Sequence, residues 1–329
     1  MPTINNGGQY MQAITYTGTG STQTINVGFQ PDLVWIKQRN GTAYHALFDS
    51  VRGATKVIQS NTTTAEQTFS TALTAFTSNG FTTGSSTDTN QSGQSYVAWC
   101  WKAGTTSASN TDGTITSTVS VGATQGFSVV TYTSTTGTVG HGLGVAPSMI
   151  IMKPTNNTDQ WTVGHVGLPS WNYGLALNAT SAQDANSGFW NNTAPTSTVF
   201  SQGSWNSGFT KVAYCFAAVA GYSAFGSYTG NGSADGPFVY TGFRPKYVLI
   251  KRTDTTDNWL MEDTSRSTYN QTAASLYPNL SNAEDTGNPL DILSNGFKSR
   301  SASTTFNASS GTYIYACFAE NPLKYALAR

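Results

Sequence analysis

Three stretches of the chain share one pattern, in which a loop ending in Gly and Pro leads into four consecutive apolar residues and then a Lys. Pro is tolerated at the entrance of a strand, and an unbroken apolar run is typical of a strand that is buried on both faces. The pattern predicts three equivalent core strands, each packed on one side and overlaid by loops or a neighbouring domain on the other. They lie in residues 28–37, 144–153 and 242–251.

The core strands divide the chain into three units of similar length. From the Pro of each core strand to a Cys near the end of the same unit, the chain runs 69, 68 and 72 residues. We predict unit 1 at 1–104, unit 2 at 112–220 and unit 3 at 221–329, with the Ser/Thr/Ala-rich stretch 105–111 as a linker. Units of about a hundred residues are large enough to bury their own cores.

Short apolar segments separated by Gly, Pro, Asn and Ser turns, with almost no helical period, predict an all-β chain. Each unit is expected to form a β-sandwich of the jelly-roll or lectin-like kind, which gives three tandem domains. A period near a hundred residues is too long for one propeller blade or solenoid coil. We also expect the units to be separable, so that a fragment covering 112–220 melts cooperatively.

The surface is expected to be polar but nearly uncharged. Charged residues make up 10% of the chain, and 16 Lys and Arg balance 16 Asp and Glu. This balance offers no electrostatic footprint for nucleic acid or an anionic membrane. No stretch is apolar enough for a membrane helix, and the N-terminus lacks the basic and apolar regions of a secretory signal. We therefore expect no nucleic-acid partner, no membrane insertion and synthesis in the cytoplasm without export.

The three cysteines occupy the same place in the three units, on the last strand of each: Cys100, Cys215 and Cys317. Each is expected in the core of its own domain, too far from the others to form a disulfide. No second Cys or His stands at ligand spacing near any of them. We predict buried thiols, no metal site and no cofactor.

The carboxylates suggest no catalytic site. Glycoside hydrolysis requires two carboxyl groups that face one bond. The adjacent pairs Glu262-Asp263 and Glu284-Asp285 would point to opposite faces of a strand, so solvated loop charge explains them better. We therefore expect no enzymatic activity and no catalytic residues.

A Lys ends each core strand: Lys37, Lys153 and Lys251. The repeat explains this recurrence without a functional role. A Lys at a strand exit can lay its stem over apolar surface and keep its charge in water, and this is what we expect here.

Unit 2 carries the densest mixture of aromatic and amide side chains. A sugar ring can stack its apolar side on an indole while amide groups bond its hydroxyls. The sequence therefore suggests a glycan contact at Trp171, Tyr173, Trp190 and Trp205, although core or interface positions would also account for most of these residues.

Five segments resemble a repeat family found in tail-fibre and other virion proteins of tailed phages, especially phages of marine bacteria. The segments read PDLVWIK at 31–37, FDSVRGA at 48–54, YVAWCWKAG at 96–104, GYSAFGSY at 221–228 and FAENP at 318–322. The resemblance covers almost the whole chain, but its motifs are structural and carry no catalytic residues. It implies a component of a phage particle, located in the virion, whose partners are other virion proteins.

We expect the particle component to be a tail fibre or tail-associated adhesin that contacts host surface glycan. A capsid decoration protein or head fibre is the closest alternative, and a tailspike-like polysaccharide depolymerase is the enzymatic one. A homotrimer is also expected, since each core strand is apolar on both faces and a neighbouring subunit could cover the second face. The apolar tail at 323–327 would be a second contact, and the alternative is that loops cover the sheet within one chain.

Overall fold

The computed structural model of the protein describes residues 4–320. It is nearly all β, with 43% of residues in strands and 5% in helices, and its sheets are antiparallel. The predicted all-β, sandwich-like fold is confirmed. No helix within the described range is long and apolar enough to span a membrane.

Unit 1 pairs a six-stranded sheet with a three-stranded one. In chain order it contains a 3-10 turn (Gly7–Gln9), β1 (Met11–Thr17), β2 (Gln23–Asn26), β3 (Leu33–Gln38), β4 (Ala46–Asp49), β5 (Lys56–Gln59), β6 (Gln67–Thr68), β7 (Leu73–Thr77), β8 (Gly80–Thr83), α1 (Thr87–Asn90) and β9 (Ser95–Trp101). The large sheet has the spatial order β1-β9-β3-β4-β5-β6, and the small sheet has the order β2-β8-β7.

Unit 2 pairs an eight-stranded sheet with a two-stranded one. Its elements are β10 (Ala108–Asn110), β11 (Ser117–Gly122), β12 (Phe127–Thr133), β13 (Gly137–Gly140), β14 (Met149–Pro154), β15 (Thr162–His165), β16 (Tyr173–Ala176), β17 (Asp184–Ala185), α2 (Ser187–Trp190), β18 (Val199–Gln202) and β19 (Thr210–Phe216). The spatial orders are β10-β11-β12-β19-β14-β15-β16-β17 and β13-β18. Strand β10 lies within 105–111, so the stretch predicted as a linker contributes a strand to this sheet.

Unit 3 pairs a four-stranded sheet with a three-stranded one. Its elements are β20 (Ser223–Thr229), β21 (Phe238–Tyr240), β22 (Pro245–Arg252), β23 (Trp259–Asp263), β24 (Leu290–Leu293), β25 (Gly296–Ser299), α3 (Thr304–Asn307) and β26 (Thr312–Ala319). The spatial orders are β20-β26-β22-β23 and β21-β25-β24.

The two faces of the large sheet belong to different cores in units 1 and 2. In β3, Val34 and Ile36 face the small sheet of unit 1, where Cys100 also lies. Leu33 and Trp35 point the other way, into a core that all three units share. Strand β14 alternates in the same manner. In β22, Tyr247 and Leu249 line the shared core, and the core of unit 3 behind the strand is continuous with it. Because both faces are buried, the three core strands are apolar without interruption, as the sequence predicts.

Three aromatic rings, one from the last strand of each unit, meet at the centre of the shared core. The ring centroids of Trp101 and Phe216 are 6.0 Å apart, and each is 5.8 Å from the centroid of Phe318. All three pairs are edge-to-face, which is a favoured arrangement of aromatic rings. The surrounding side chains leave a void of only about 10 Å³. The three units are therefore related by an approximate three-fold axis through this triangle.

One backbone hydrogen bond recurs at each of the three boundaries between units. Its acceptor carbonyl stands two residues after the repeated Lys, and its donor is the N–H at an equivalent loop position in a neighbouring unit. The bonds are Glu66 N to Thr155 O (2.7 Å), Gln183 N to Thr253 O (2.9 Å) and Glu284 N to Arg39 O (2.7 Å). They run from unit 1 to 2, from 2 to 3 and from 3 to 1, so the chain closes into a ring.

The ring covers the apolar faces within one chain. The second face of each core strand packs against the other two units, so neither a neighbouring subunit nor the loops of its own unit are needed to cover it. The homotrimer remains a prediction, and it loses the support of an uncovered face. The tail at 323–327, named as a second trimer contact, lies outside the described residues.

The sequence predicts that the repeated lysines keep their charge in water, and this prediction is wrong. Lys37, Lys153 and Lys251 are fully buried. The Nζ of Lys37 donates to the carbonyl oxygens of Gln38 (2.6 Å) and Gly41 (2.9 Å), and the other two lysines bond backbone carbonyls in the same way. Burial lowers the pKa of each from 10.5 to about 8, against nearby carboxylates that raise it. Lys37 and Lys153 thus tie their strands to the loops that follow, whereas Lys251 ties its strand to Thr180 of unit 2.

Glu262 and Asp263 are also buried, so the interpretation as solvated loop charge is wrong for this pair. Asp263 forms an ion pair with the fully buried Arg266 (2.6 Å) and accepts a hydrogen bond from Trp99 Nε1 of unit 1 (2.9 Å). Glu262 accepts a hydrogen bond from the hydroxyl of Ser275 (2.6 Å). The pair therefore holds unit 3 together and docks it on unit 1.

All three cysteines are free and buried, as predicted. Burial raises the pKa of each thiol, because desolvation disfavours the thiolate. We expect a thiol reagent at pH 8 to leave the native protein unmodified and to label three thiols per chain in denaturant. Rapid labelling of the native protein, or a mass that shows a disulfide, would contradict this prediction.

Candidate functional site

Unit 2 departs from the other two units beside its small sheet. That sheet has two strands, where units 1 and 3 have three. Helix α2 occurs at the place in the chain where units 1 and 3 have the third strand, and it packs on β16 and β18. Asn186 caps the helix by accepting a hydrogen bond from Gly188 N (2.9 Å), and Asn191 ends it in the left-handed conformation.

Two glycines make room for the aromatic side chains that α2 brings in. Gly164 takes the place that Phe48 has in unit 1, and a Cβ there would lie 2.5 Å from the indole of Trp171 and 2.7 Å from that of Trp190. A Cβ on Gly174 would lie 2.6 Å from the ring of Phe189. Larger residues at these positions would therefore displace the rings.

A buried Lys holds the loop that carries Trp205. Lys211 Nζ donates to the carbonyl of Trp205 (2.7 Å) and to Gln202 Oε1 (3.0 Å), and Gln202 Nε2 donates to the same Trp205 carbonyl (3.1 Å). Burial lowers the pKa of Lys211 to about 7, against the attraction of Asp159. Units 1 and 3 have Tyr at this register position, so the network around this loop belongs to unit 2.

A cleft of about 410 Å³, the unit 2 cleft, opens beside α2. Trp161, Phe189 and Trp205 supply apolar surface, and Trp205 is the one of these three that is partly exposed. Gln160 and Gln183 line the cleft with amide groups, and neither side chain is hydrogen-bonded to another described residue. The cleft therefore combines a partly exposed Trp with amide donors and acceptors, which suits a polyhydroxylated ligand.

The structure separates the four aromatic residues suggested for glycan contact. Trp205 lines the cleft, whereas Trp171, Tyr173 and Trp190 do not. Trp190 is 1% exposed and packs edge-to-face on Trp171 with ring centroids 5.5 Å apart. Trp171 and Tyr173 are half-buried against core side chains. The other three residues mainly fill the interior behind the cleft.

Sequence reasoning missed the amides and the floor of the cleft. Gln160, Gln183 and Phe189 come from three separate segments, and no local pattern joins them to Trp205. The available signal was the departure of unit 2 from the repeat at Gly164, where unit 1 has Phe48, and at Lys211, where the other units have Tyr.

The charges around the cleft are sparse. Of the residues that the structure describes, Asp184 is the one carboxylate that lines the cleft, and no Lys or Arg lines it. Within residues 4–320, no three His, Cys, Asp or Glu side chains lie close enough together to hold a metal ion. The arrangement can bind a neutral ligand through stacking and hydrogen bonds.

Comparison with known proteins identifies a family. The model of the family described as "Domain of unknown function (DUF7483)" matches residues 6–322. Neither a curated protein nor a solved structure matches the chain.

Proposed function

The chain belongs to the DUF7483 family, and from its own residues we propose that it is a phage virion protein that contacts glycan on the host surface. The resemblance of its five sequence segments to virion proteins supports the first part of this proposal. The unit 2 cleft supports the second part and is the observation that carries it.

The cleft offers what a sugar ring requires. The apolar face of the ring stacks on Trp205, which is partly exposed and held by Lys211 through its carbonyl. The amides of Gln160 and Gln183 can each donate to and accept from hydroxyl groups. A site held open by buried side chains loses little conformational entropy when it binds.

We expect Trp205→Ala to weaken binding to a panel of neutral oligosaccharides by about tenfold, because the stacking surface is lost. Gln160→Ala, at an exposed position on the rim, should weaken it less. Calorimetric titration of each purified full-length variant measures the effect. Tyr240→Ala is the matched control, since it removes an aromatic residue that is 62% exposed and lies outside the cleft.

The proposal is overturned if the wild-type protein binds no member of the panel, or if Trp205→Ala binds as tightly as Tyr240→Ala. Shortening of a host polysaccharide during incubation with the protein would indicate a depolymerase. Circular dichroism of each variant shows whether it is folded, so that weaker binding can be separated from unfolding.

A capsid decoration protein is the second candidate, and the closed ring of three units favours it. A body with approximate three-fold symmetry matches a three-fold site on a particle, where each unit meets an equivalent surface. Labelling of this chain in intact particles separates the candidates: signal on the capsid and none on the tail would overturn the adhesin role.

A further inference from the structure

A second cleft, the boundary cleft, lies between units 2 and 3 and has a volume of about 390 Å³. Leu168 and Pro169 line it from unit 2, and Ser227 and Thr229 line it from unit 3. Gln183 lines both this cleft and the unit 2 cleft. The two clefts therefore adjoin at one side chain.

The backbone of Gln183 is held where the two clefts adjoin. Its N–H donates to the carbonyl of Thr253 (2.9 Å), which is one of the three bonds that close the ring, and Thr253 itself lines the boundary cleft. The amide side chain of Gln183 is half-buried and makes no hydrogen bond to another described residue. It is free to bond a ligand at the point where that ligand passes from one cleft to the other.

The lining residues indicate the charge and shape of the ligand. Among residues 4–320, no Lys or Arg lines either cleft, and Asp184 is the one carboxylate. An anionic ligand would gain no ion pair and would be repelled by Asp184. Each cleft is near the lower end of the range for small-molecule sites, about 300–1,000 Å³, so a ligand that fills both is extended.

We propose that the ligand is a linear, neutral oligosaccharide that occupies both clefts and crosses the boundary at Gln183. This inference rests on the proposed glycan contact and adds the length and charge of the glycan. One sugar stacks on Trp205, and the sugars beyond Gln183 meet the exposed hydroxyls of Ser227 and Thr229.

The test compares affinity with oligosaccharide length. Neutral oligosaccharides from monosaccharide to hexasaccharide, with uronic-acid oligosaccharides of the same lengths, are titrated into the full chain. Thr229→Arg fills the boundary cleft from an exposed strand position. Thr17→Arg is the matched control, because Thr17 is the exposed residue at the equivalent position of unit 1 and lies outside both clefts.

We expect the wild-type protein and Thr17→Arg to bind the longest neutral members at least about tenfold more tightly than the shortest. In Thr229→Arg the long neutral members should bind no better than the short ones, and in the wild-type protein the uronic-acid series should bind more weakly than the neutral series at every length. Affinity that depends on Trp205 but not on length, or equal affinity of the two Arg variants for the long members, overturns this inference alone. If the wild-type protein binds no neutral oligosaccharide, both this inference and the proposed glycan contact are wrong.

Discussion

The isolated segment 112–220 should aggregate or remain unfolded, although the full chain folds cooperatively. Removing units 1 and 3 exposes the face of the unit 2 sheet that packs in the shared core. The large apolar side chains on that face include Val129, Met149, Ile151, Tyr214 and Phe216. Burial of each contributes about 1.5–3 kcal/mol. Their combined loss is comparable with the whole stability of a domain, about 5–15 kcal/mol.

Circular dichroism, thermal melting and light scattering of the purified fragment measure this outcome, with the full chain in the same buffer as the reference. A fragment carrying Met149→Gln, Ile151→Thr and Phe216→Ser is the matched control, since it replaces apolar central-face residues by polar ones. It should be more soluble than the unmodified fragment. A monomeric, cooperatively melting unmodified fragment would show that the units are separable, as the sequence alone suggests.

Arg266→Leu is expected to lower the free energy of unfolding by about 3–5 kcal/mol, because removing one partner of a buried ion pair leaves the other charge uncompensated. Arg266 is fully buried, pairs with Asp263 and Glu284, and lies 5.4 Å from the ring centroid of Trp99. Burial by itself would lower the pKa of Arg266, but the carboxylates of Asp263, Glu262 and Glu284 raise it and keep the guanidinium charged. Urea unfolding of the full chain measures the change.

Lys298→Leu is the control for the loss of a cation in unit 3. Lys298 pairs with Asp235, whose side chain is 78% exposed, so water replaces the lost partner and stability should change little. If Arg266→Leu is no less stable than Lys298→Leu, the buried pair does not stabilise the fold.

Unit 2 has an uncharged pair of residues where unit 3 has the buried ion pair between Asp263 and Arg266. His165 and Leu168 stand at the positions that Asp263 and Arg266 have in unit 3, and His165 bonds the carbonyl of Tyr315 (3.1 Å) instead of an ion partner. The double variant Asp263→His with Arg266→Leu copies this uncharged solution. It should be more stable than Arg266→Leu alone, since the unpaired Asp263 carboxylate is removed.

The residue pattern alone is enough to specify the all-β class, the core strands and the buried state of the cysteines. An apolar run such as 33–36 can avoid water only if both faces of its strand are covered. Likewise, Cys100 belongs to a strand whose alternate side chains form the sandwich core. These properties follow from the two-residue period of a strand and from burial, and both can be recognised in a short stretch of sequence.

The identity of the covering surface follows from long-range packing. An apolar run in the sequence shows that a strand face must be covered, but not whether a loop, another subunit or another unit covers it. In this protein the other units of the same chain cover it, and Trp101, Phe216 and Phe318 meet where the three units join. The same limit applies to Lys37, because a lysine can stay charged in water or bond carbonyls. Lys37 bonds carbonyls because the loop after its strand brings the Gly41 carbonyl within 2.9 Å of Nζ.

The cleft depends on tertiary structure most of all. The aromatic and amide residues near Trp205 in the sequence are enough to suggest it as a glycan contact. Gln160, Gln183 and Phe189 meet it only because α2 replaces a strand and because the boundary between units 2 and 3 brings Gln183 into place. A ligand site is a relation between side chains that are distant in sequence, and the local periodicity of hydrophobic residues carries no information about that relation.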